Sequence, residues 1–298
     1  MNYVNIASIG FSVEKDQSMK ALLVACLICL SATVKAACLG DINAPKVHTF
    51  DVVPQFTAAK IHSTWAPLLQ RVGKEAGLCF ELKIAASIPE FEQTFLKGHA
   101  QFVYLNPYHA VLAHQKQKYV PLLADGYETL TGILVVRKDS TIQNIDALSG
   151  KQLAFPAPNA FAASLLIRAE LAKKKVNIQP VFVKNHSNVY RAVIAQDMLA
   201  GGGVNNTLES EAPEVQSQLR VLYETQAYTP HPIVTHPSIS EEVRQRFFKA
   251  MLRLMQDDEG KKLLDQVNLT KPQAVTYAKH YKVLESLKLE KFLVLANP

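Results

Sequence analysis

The stretch Ala154–Lys175, which reads AFPAPNAFAASLLIRAELAKKK, decides the fold. A short apolar strand end runs into the Pro156–Pro158 turn, and Asn159 then offers a helix N-cap. Strong helix formers follow as far as the cationic run Lys173–Lys175, which suits a helix C-terminus. The first amides of such a helix have no intrahelical partner and can hold an anion. The pattern therefore predicts a strand–turn–helix junction, either an anion site or an ordinary α/β connection.

On both sides of this junction, apolar strands alternate with amphipathic helices. Such alternation favours an α/β fold with mainly parallel sheets and right-handed crossovers. The pattern restarts once, so we expect two lobes joined by a two-strand hinge with crossings near Thr131 and Thr229. Lobe I would comprise residues 38–131 and 229–298, and lobe II residues 132–228. A ligand is expected in the cleft, at the carboxyl ends of the strands.

The N-terminus has the pattern of a secretory signal peptide over residues 1–37. The apolar run Ala21–Leu30 follows Lys20, is too short for a membrane span and is followed by small residues. Met19 suits an initiator, so residues 1–18 are interpreted as an over-extended start. Cleavage before Ala37 would release a periplasmic protein. A lipoprotein acylated at Cys38 is the alternative, and Lys35 disfavours it.

The mature chain keeps two cysteines, Cys38 and Cys79. In an oxidising compartment they could pair and close a loop of about 40 residues, but sequence does not show whether they are close enough. No Cys/His cluster has zinc spacing, so neither a metal nor a cofactor is expected.

The distribution of charge excludes nucleic acids as partners. The net charge of +6 for the whole chain becomes about +5 without residues 1–37, which weakly favours an anionic ligand. Basic residues are dispersed among acids, so we expect no nucleic-acid binding. The expected molecule is a monomer with a small anionic ligand.

Several motifs occur in an order that resembles the periplasmic substrate-binding proteins of phosphate, phosphite and phosphonate ABC transporters. The resemblance covers residues 47–285 and rests on the following segments: Val52–Gln55, Trp65–Leu68, Leu105–Tyr108, Val135–Ser140, Leu148–Lys151, Phe155–Asn159, His186 and Gly202–Val204. It implies a type II periplasmic-binding-protein fold, a tetrahedral oxyanion held between the lobes and delivery to an ABC permease.

Candidate ligand contacts come from strand ends and from the resemblance. Gln55 ends one strand, and Tyr104 and Tyr108 flank Asn106 at the end of another. By resemblance, His186 contacts the ligand. In the family a Ser-Thr-Ser-type run opens the junction helix. Here those positions are Ala160, Phe161 and Ala162, followed by Ala163, so amides remain where hydroxyls would be.

Two other functions compete with transport. An enzyme would need more than Ser164 and His186, since no nucleophile elbow or metal pair accompanies them; we expect no catalysis. Some relatives of this family are ligand sensors, so a soluble periplasmic sensor working with a histidine kinase is the second alternative.

Overall fold

The computed structural model describes residues 38–294. The predicted signal peptide, the start at Met19 and the cleavage site lie outside the described residues. Within the described part of the chain, no helix has both the length and the apolar character needed to cross a membrane.

Seven strands form the first sheet, in the order β1-β3-β2-β4-β11-β5-β12. Their bounds are β1 Leu39–Gly40, β2 Val47–Val52, β3 Cys79–Ile84, β4 Phe102–Tyr104, β5 Val120–Asp125, β11 Ile233–Thr235 and β12 Pro272–Ala274. An aromatic cluster that includes Phe50, Phe80, Phe102 and Phe247 packs on this sheet, with ring centroids 5.1–6.3 Å apart.

Five strands form the second sheet, in the order β10-β6-β9-β7-β8. They are β6 Gly132–Arg137, β7 Gln152–Phe155, β8 Gln179–Phe182, β9 Gly201–Val204 and β10 Leu219–Glu224.

The helices follow the predicted amphipathic stretches. The α-helices are α1 Ala58–Ala76, α2 Ile88–Leu96, α3 Pro107–Gln117, α4 Ile167–Lys173, α5 His186–Ile194, α6 Asn205–Glu209, α7 Pro213–Gln216, α8 Glu241–Arg253 and α9 Asp258–Asp265. Short 3₁₀ helices span Ile145–Leu148, Leu254–Gln256, Lys282–Leu287 and Leu289–Phe292, and π-helical turns span Phe161–Leu166 and Tyr277–Tyr281. Hydroxyl side chains cap several N-termini, among them Thr57, Ser87 and Ser240.

The expectation of mainly parallel pairing is wrong. Strand β2 pairs in parallel with β3 and β4, and β7 with β8 and β9. Six other strand pairs of residues 38–294 are antiparallel. Strands β6 and β11 follow the two segments that pass from one sheet to the other, and both make only antiparallel pairs. At β6 and β11 the chain enters a sheet from the direction of the other sheet. Each of these two strands therefore runs opposite to the strands beside it.

The two crossing segments contact each other directly. Leu130 and Tyr228 form an antiparallel bridge with two N–O distances of 2.9 Å. The Asn205 side chain accepts the Thr131 amide at 3.1 Å, and Thr225 Oγ1 accepts the Gly132 amide at 2.9 Å. The segments are thus tied to each other and to the second sheet. The assignment of residues to two lobes stays a prediction.

The junction helix begins differently from the prediction. Ala160 is the N-cap, without a side-chain capping bond, and the first turn is π-helical over Phe161–Leu166 before α4 continues it. Asn159, expected to cap the helix, instead directs its side chain to Glu92 and Val294. There the side-chain nitrogen and oxygen of Asn159 both have hydrogen-bond partners, as buried polar groups generally do. The helix packs so closely on the second sheet that a Cβ on Gly132 or Gly202 would collide with the carbonyl oxygens of Ala162 and Ala163.

Cys38, which immediately precedes β1, forms a disulfide with Cys79 at the start of β3, with a Cα–Cα distance of 5.4 Å. Strand β1 has only two residues, and Gly40 lies opposite Cys79 in the ladder. The bond therefore attaches the start of the described chain to the edge of the first sheet.

Removing this disulfide is expected to lower the free energy of unfolding. In the chain-entropy model, a closed loop of this length contributes about 3–4 kcal/mol. Urea unfolding of the Cys38→Ala/Cys79→Ala variant, compared with the wild type, measures the difference. Reductant should destabilise the wild type alone, and a wild type whose unfolding midpoint ignores reductant would contradict the prediction.

Candidate functional site

One narrow cavity lies where the carboxyl ends of strands from both sheets meet. Its volume is about 10 Å³, which is about the space of one water. The residues that line it are Val53, Gln55, Ile88, Asn106, Ala160, Phe161, Ala162, Ala163, His186, Val204 and His231. Seven of the nine residues predicted from sequence are in this lining: Gln55, Asn106, Ala160, Phe161, Ala162, Ala163 and His186.

The junction helix contributes amides to the cavity. The first helical bonds run from the Ser164 and Leu165 amides to Ala160 O, at 2.9 and 3.0 Å. The helix itself therefore leaves the amides of residues 161–163 without partners, and their dipoles favour a negative group. The Phe161 ring stacks on Tyr108 at 6.2 Å and meets Tyr228 edge-on at 5.4 Å. This packing places an apolar aromatic side chain at the start of the junction helix.

His186 is the first residue of α5, which Asn185 caps. Its amide donates to Gln55 O at 3.0 Å, so the two predicted contacts are directly bonded. Its Nδ1 lies 3.1 Å from Thr207 Oγ1. The ring is 2 % exposed, and burial lowers the pKa of His186 to about 3. At neutral pH this imidazole is therefore uncharged.

His231 belongs to the same cavity, and sequence reasoning missed it. It lies between Pro230 and Pro232, just before β11, and its ring stacks on Tyr104 at 5.5 Å. Its Nδ1 is buried and has no hydrogen-bond partner among residues 38–294. Burial, with smaller contributions from the His186 and His109 rings, lowers its pKa to about 3. In the sequence, the only signal that could have pointed to His231 is its position between two prolines, in a segment that crosses between the sheets.

Asn106 is both a helix cap and a bridge. Its Oδ1 accepts the His109 amide at 2.8 Å at the start of α3, and its Nδ2 donates to Asn159 O at 3.2 Å. The strand end of the first sheet is thus bonded to the turn that precedes the junction helix.

Asn159 extends this network to the C-terminal segment. Its Nδ2 donates to Glu92 Oε2 and to Val294 O, both at 3.0 Å, and its Oδ1 accepts the Val294 amide at 3.0 Å. The other oxygen of Glu92 lies 2.9 Å from His109 Nε2. Glu92 and His109 are almost fully buried, so this carboxylate depends on both partners for its hydrogen bonds.

Arg168 makes a parallel set of contacts. Its guanidinium donates to Pro158 O at 2.6 Å, to Phe292 O at 3.0 Å and to Ser164 Oγ at 3.1 Å. Ser164, which the enzyme alternative would need as a nucleophile, is thereby bonded to Arg168, four residues further along the chain.

The structure does not bring Tyr104 and Tyr108 into the cavity lining. The Tyr104 ring packs on Trp65 at 4.7 Å and on His231. The Tyr108 hydroxyl donates to Glu290 Oε1 at 3.2 Å. Burial raises the pKa of both hydroxyls, for Tyr108 to about 12. Their role as ligand contacts stays a prediction that the described cavity does not support.

The glycines Gly201–Gly203 are the first three residues of strand β9. A side chain on Gly201 would meet Val189, and one on Gly203 would meet Tyr190. Their small size serves the packing of α5 on the sheet. As for metals, His, Cys, Asp and Glu side chains of residues 38–294 form no group of three or more that could hold an ion.

Comparison with known proteins places these features in context. Residues 50–281 match the family described as ABC transporter, phosphonate, periplasmic substrate-binding protein. The phosphonates-binding periplasmic protein of Escherichia coli (strain K12) is 23 % identical over 238 residues, which cover 74 % of this chain and 70 % of the relative.

Solved structures show the same fold. A binding protein component of an ABC phosphonate transporter from Pseudomonas aeruginosa has a TM-score of 0.72 and 18 % identity, over 83 % of this chain and 86 % of that one. PhnD1 from Prochlorococcus marinus, in complex with methylphosphonate, has a TM-score of 0.73 and 17 % identity, over 82 % and 97 %. The predicted α/β architecture of the type II periplasmic-binding-protein fold is confirmed.

The two buried imidazoles make stability depend on pH. Both pKa values fall from 6.5 to about 3 on folding. Below pH 6.5 the unfolded chain therefore takes up protons that the folded protein does not, and stability falls by about 1.4 kcal/mol per pH unit per histidine. Asp51, whose buried carboxyl has a pKa raised to about 6, acts in the opposite sense below that pH.

Replacing His231 with Asn should reduce the slope of the unfolding free energy against pH, on the acid side, by about 1.4 kcal/mol per pH unit. Urea unfolding at a series of pH values between about 6.5 and 4 measures it. Exposed His62 provides the matched control through His62→Asn. An unchanged slope in His231→Asn would contradict a neutral, buried His231.

Proposed function

Because this chain belongs to the family of ABC-transporter phosphonate periplasmic substrate-binding proteins, we propose that its ligand is a small phosphorus oxyanion, such as phosphate, phosphite or a phosphonate. The observation that carries the proposal is the junction helix, whose free amides at residues 161–163 open onto the cavity shared with Gln55 and His186. Backbone amides at a helix start bind oxyanions without any hydroxyl side chain.

The ligand enters by separation of the two sheets. A cavity of about 10 Å³ is too small for a tetrahedral oxyanion, so elements on either side of it must move apart. The crossing segments provide the hinge for such a motion. Bonds such as His186 N to Gln55 O and Asn106 Nδ2 to Asn159 O break as the site opens and form again as it closes.

Delivery to an ABC permease follows from the family and favours transport over the sensor alternative. A binding protein that closes around its ligand presents a different surface to its partner in the open and closed states, which suits delivery. We propose the same partner here, with the chain acting as a monomer. The family transports substrates instead of converting them, which supports a non-enzymatic role.

We also propose that the periplasmic form is not lipid-anchored. The Cys38 sulfur is bonded to Cys79, so it has no thiol free for acylation. The intact mass of the protein released from the periplasm should therefore match cleavage before Ala37 with one disulfide. A lipid mass increment on Cys38 would contradict this.

The ligand proposal predicts that phosphite, phosphate or methylphosphonate raises the melting temperature of the mature protein. Calorimetric titration of the effective ligand then gives its affinity. Replacing His186 with Ala should weaken that affinity more than tenfold, or by about 1.4 kcal/mol, because a buried contact at the cavity is lost.

The matched control is His62→Ala, which removes an exposed imidazole from α1 and should leave affinity unchanged. If no phosphorus oxyanion shifts the melting temperature, the proposed function fails. If a ligand binds equally well to the His186→Ala variant, His186 is not part of the site.

A further inference from the structure

The proton on His186 can be assigned from its neighbours. The Thr207 hydroxyl lies 3.0 Å from Val204 O and the Tyr190 hydroxyl 3.4 Å. The shorter distance assigns the bond to Thr207, which thereby uses its single hydrogen. Thr207 Oγ1 is then an acceptor for the Tyr190 hydroxyl at 2.7 Å and for His186 Nδ1 at 3.1 Å. His186 Nδ1 therefore carries the ring hydrogen. In a neutral imidazole the other nitrogen, Nε2, must be an acceptor.

Nε2 is consequently the ring nitrogen that remains for a ligand in the cavity. An acceptor cannot bond a fully deprotonated oxyanion, which also offers only acceptors. It can bond an oxygen that still carries a hydrogen. His231 adds a second unsatisfied nitrogen, since its buried Nδ1 has no partner within residues 38–294.

The charge of the cavity lining points the same way. Its polar side chains are those of Gln55, Asn106, His186 and His231, and its eleven residues include neither lysine nor arginine. Burying a charge without an opposite charge is costly, and a dianion costs more than a monoanion. The helix amides and dipole supply only partial positive charge.

We propose that this site selects the protonated, singly charged form of its oxyanion, with the acidic hydrogen donated to His186 Nε2 and the other oxygens accepting from the amides of residues 161–163. The inference rests on the proposed function and adds the protonation state of the substrate. A monoprotonated phosphonate has one acidic hydrogen, which His186 Nε2 accepts, so its remaining oxygens can bond the unpartnered His231 Nδ1 when that nitrogen carries a hydrogen.

Titratable groups near the His186 and His231 rings do not obscure the pH dependence of ligand binding. Burial keeps both imidazoles neutral to well below pH 5, and it raises the pKa of the neighbouring Tyr190 and Tyr104 hydroxyls. The other titratable groups nearby are His109, which acts on His231, Glu209 and Glu211, which act on Tyr190, and Asp125, which acts on Tyr104. None of these four lines the cavity.

The test compares methylphosphonate with methanesulfonate, a probe of similar shape that is a monoanion without an acidic hydrogen. Calorimetric titrations of the disulfide-bonded mature protein are made below and above the second pKa of methylphosphonate. We expect singly charged methylphosphonate to bind at least tenfold more tightly than methanesulfonate. Above its second pKa, the apparent affinity should fall about tenfold per pH unit, as the binding form is depleted.

The variant His186→Asn isolates the acceptor. The side-chain amide of Asn can replace the hydrogen bond from His186 Nδ1–H to Thr207, but it offers no acceptor in place of Nε2. The variant should therefore bind methylphosphonate and methanesulfonate with nearly equal affinity. The wild-type comparison stands by itself if this variant does not fold.

Two results would overturn the inference while leaving the proposed function in place. One is equal binding of methanesulfonate and singly charged methylphosphonate by the wild type. The other is affinity that rises as methylphosphonate loses its second proton. Failure of every phosphorus oxyanion to bind at any pH would instead overturn the proposed function, and the inference with it.

Discussion

The closed arrangement of this protein depends on one buried amide, the side chain of Asn159. The side-chain nitrogen bonds Glu92 and the Val294 carbonyl, and the side-chain oxygen accepts the Val294 amide. The main-chain carbonyl of Asn159 accepts from the Asn106 side chain. Glu92, Asn106 and Asn159 are buried, so their polar groups would otherwise lose partners in a buried place, which costs more than an ordinary hydrogen bond contributes. The turn before the junction helix is therefore fixed to α2, to the end of β4 and to the C-terminal segment together.

Around this anchor the site is built from neutral groups. Where many anion sites use lysine or arginine, this cavity has two uncharged imidazoles, two amide side chains and the first amides of a helix. Recognition in such a site rests on matching donors with acceptors, because Coulomb attraction to a full positive charge is missing. Selectivity from hydrogen-bond matching is strong when the groups are buried, since a mismatched ligand leaves them unpaired.

Much of this arrangement could be read from the sequence. Parallel strands β2, β4 and β7 end at one edge of their sheets, so Gln55, Asn106 and Ala160–Ala163 could be expected to meet. The resemblance placed His186 with them, and His186 lines the same cavity. Local signals therefore located the cavity through the elements that precede it.

Other features depend on contacts that no local pattern encodes. His231 follows a crossing segment, and only the return of the chain to the first sheet brings it beside Tyr104 and the cavity. Asn159 has the sequence signature of a cap, but Glu92 and Val294 lie 67 and 135 residues away along the chain. Strand direction is likewise not encoded locally, because the path of the chain between the sheets reverses β6 and β11.

The contacts that hold the C-terminal segment have a consequence for sequence variation. Asn159 bonds the main-chain N–H and C=O of Val294, and Arg168 bonds the main-chain carbonyl of Phe292. Any residue other than proline can offer a main-chain N–H and C=O at position 294. Any residue can offer a main-chain carbonyl at position 292. Homologues can therefore exchange the side chains at these two C-terminal positions while keeping the closure, whereas asparagine and arginine at the other end of the bonds have few substitutes. Evolutionary constraint on this interface should be one-sided.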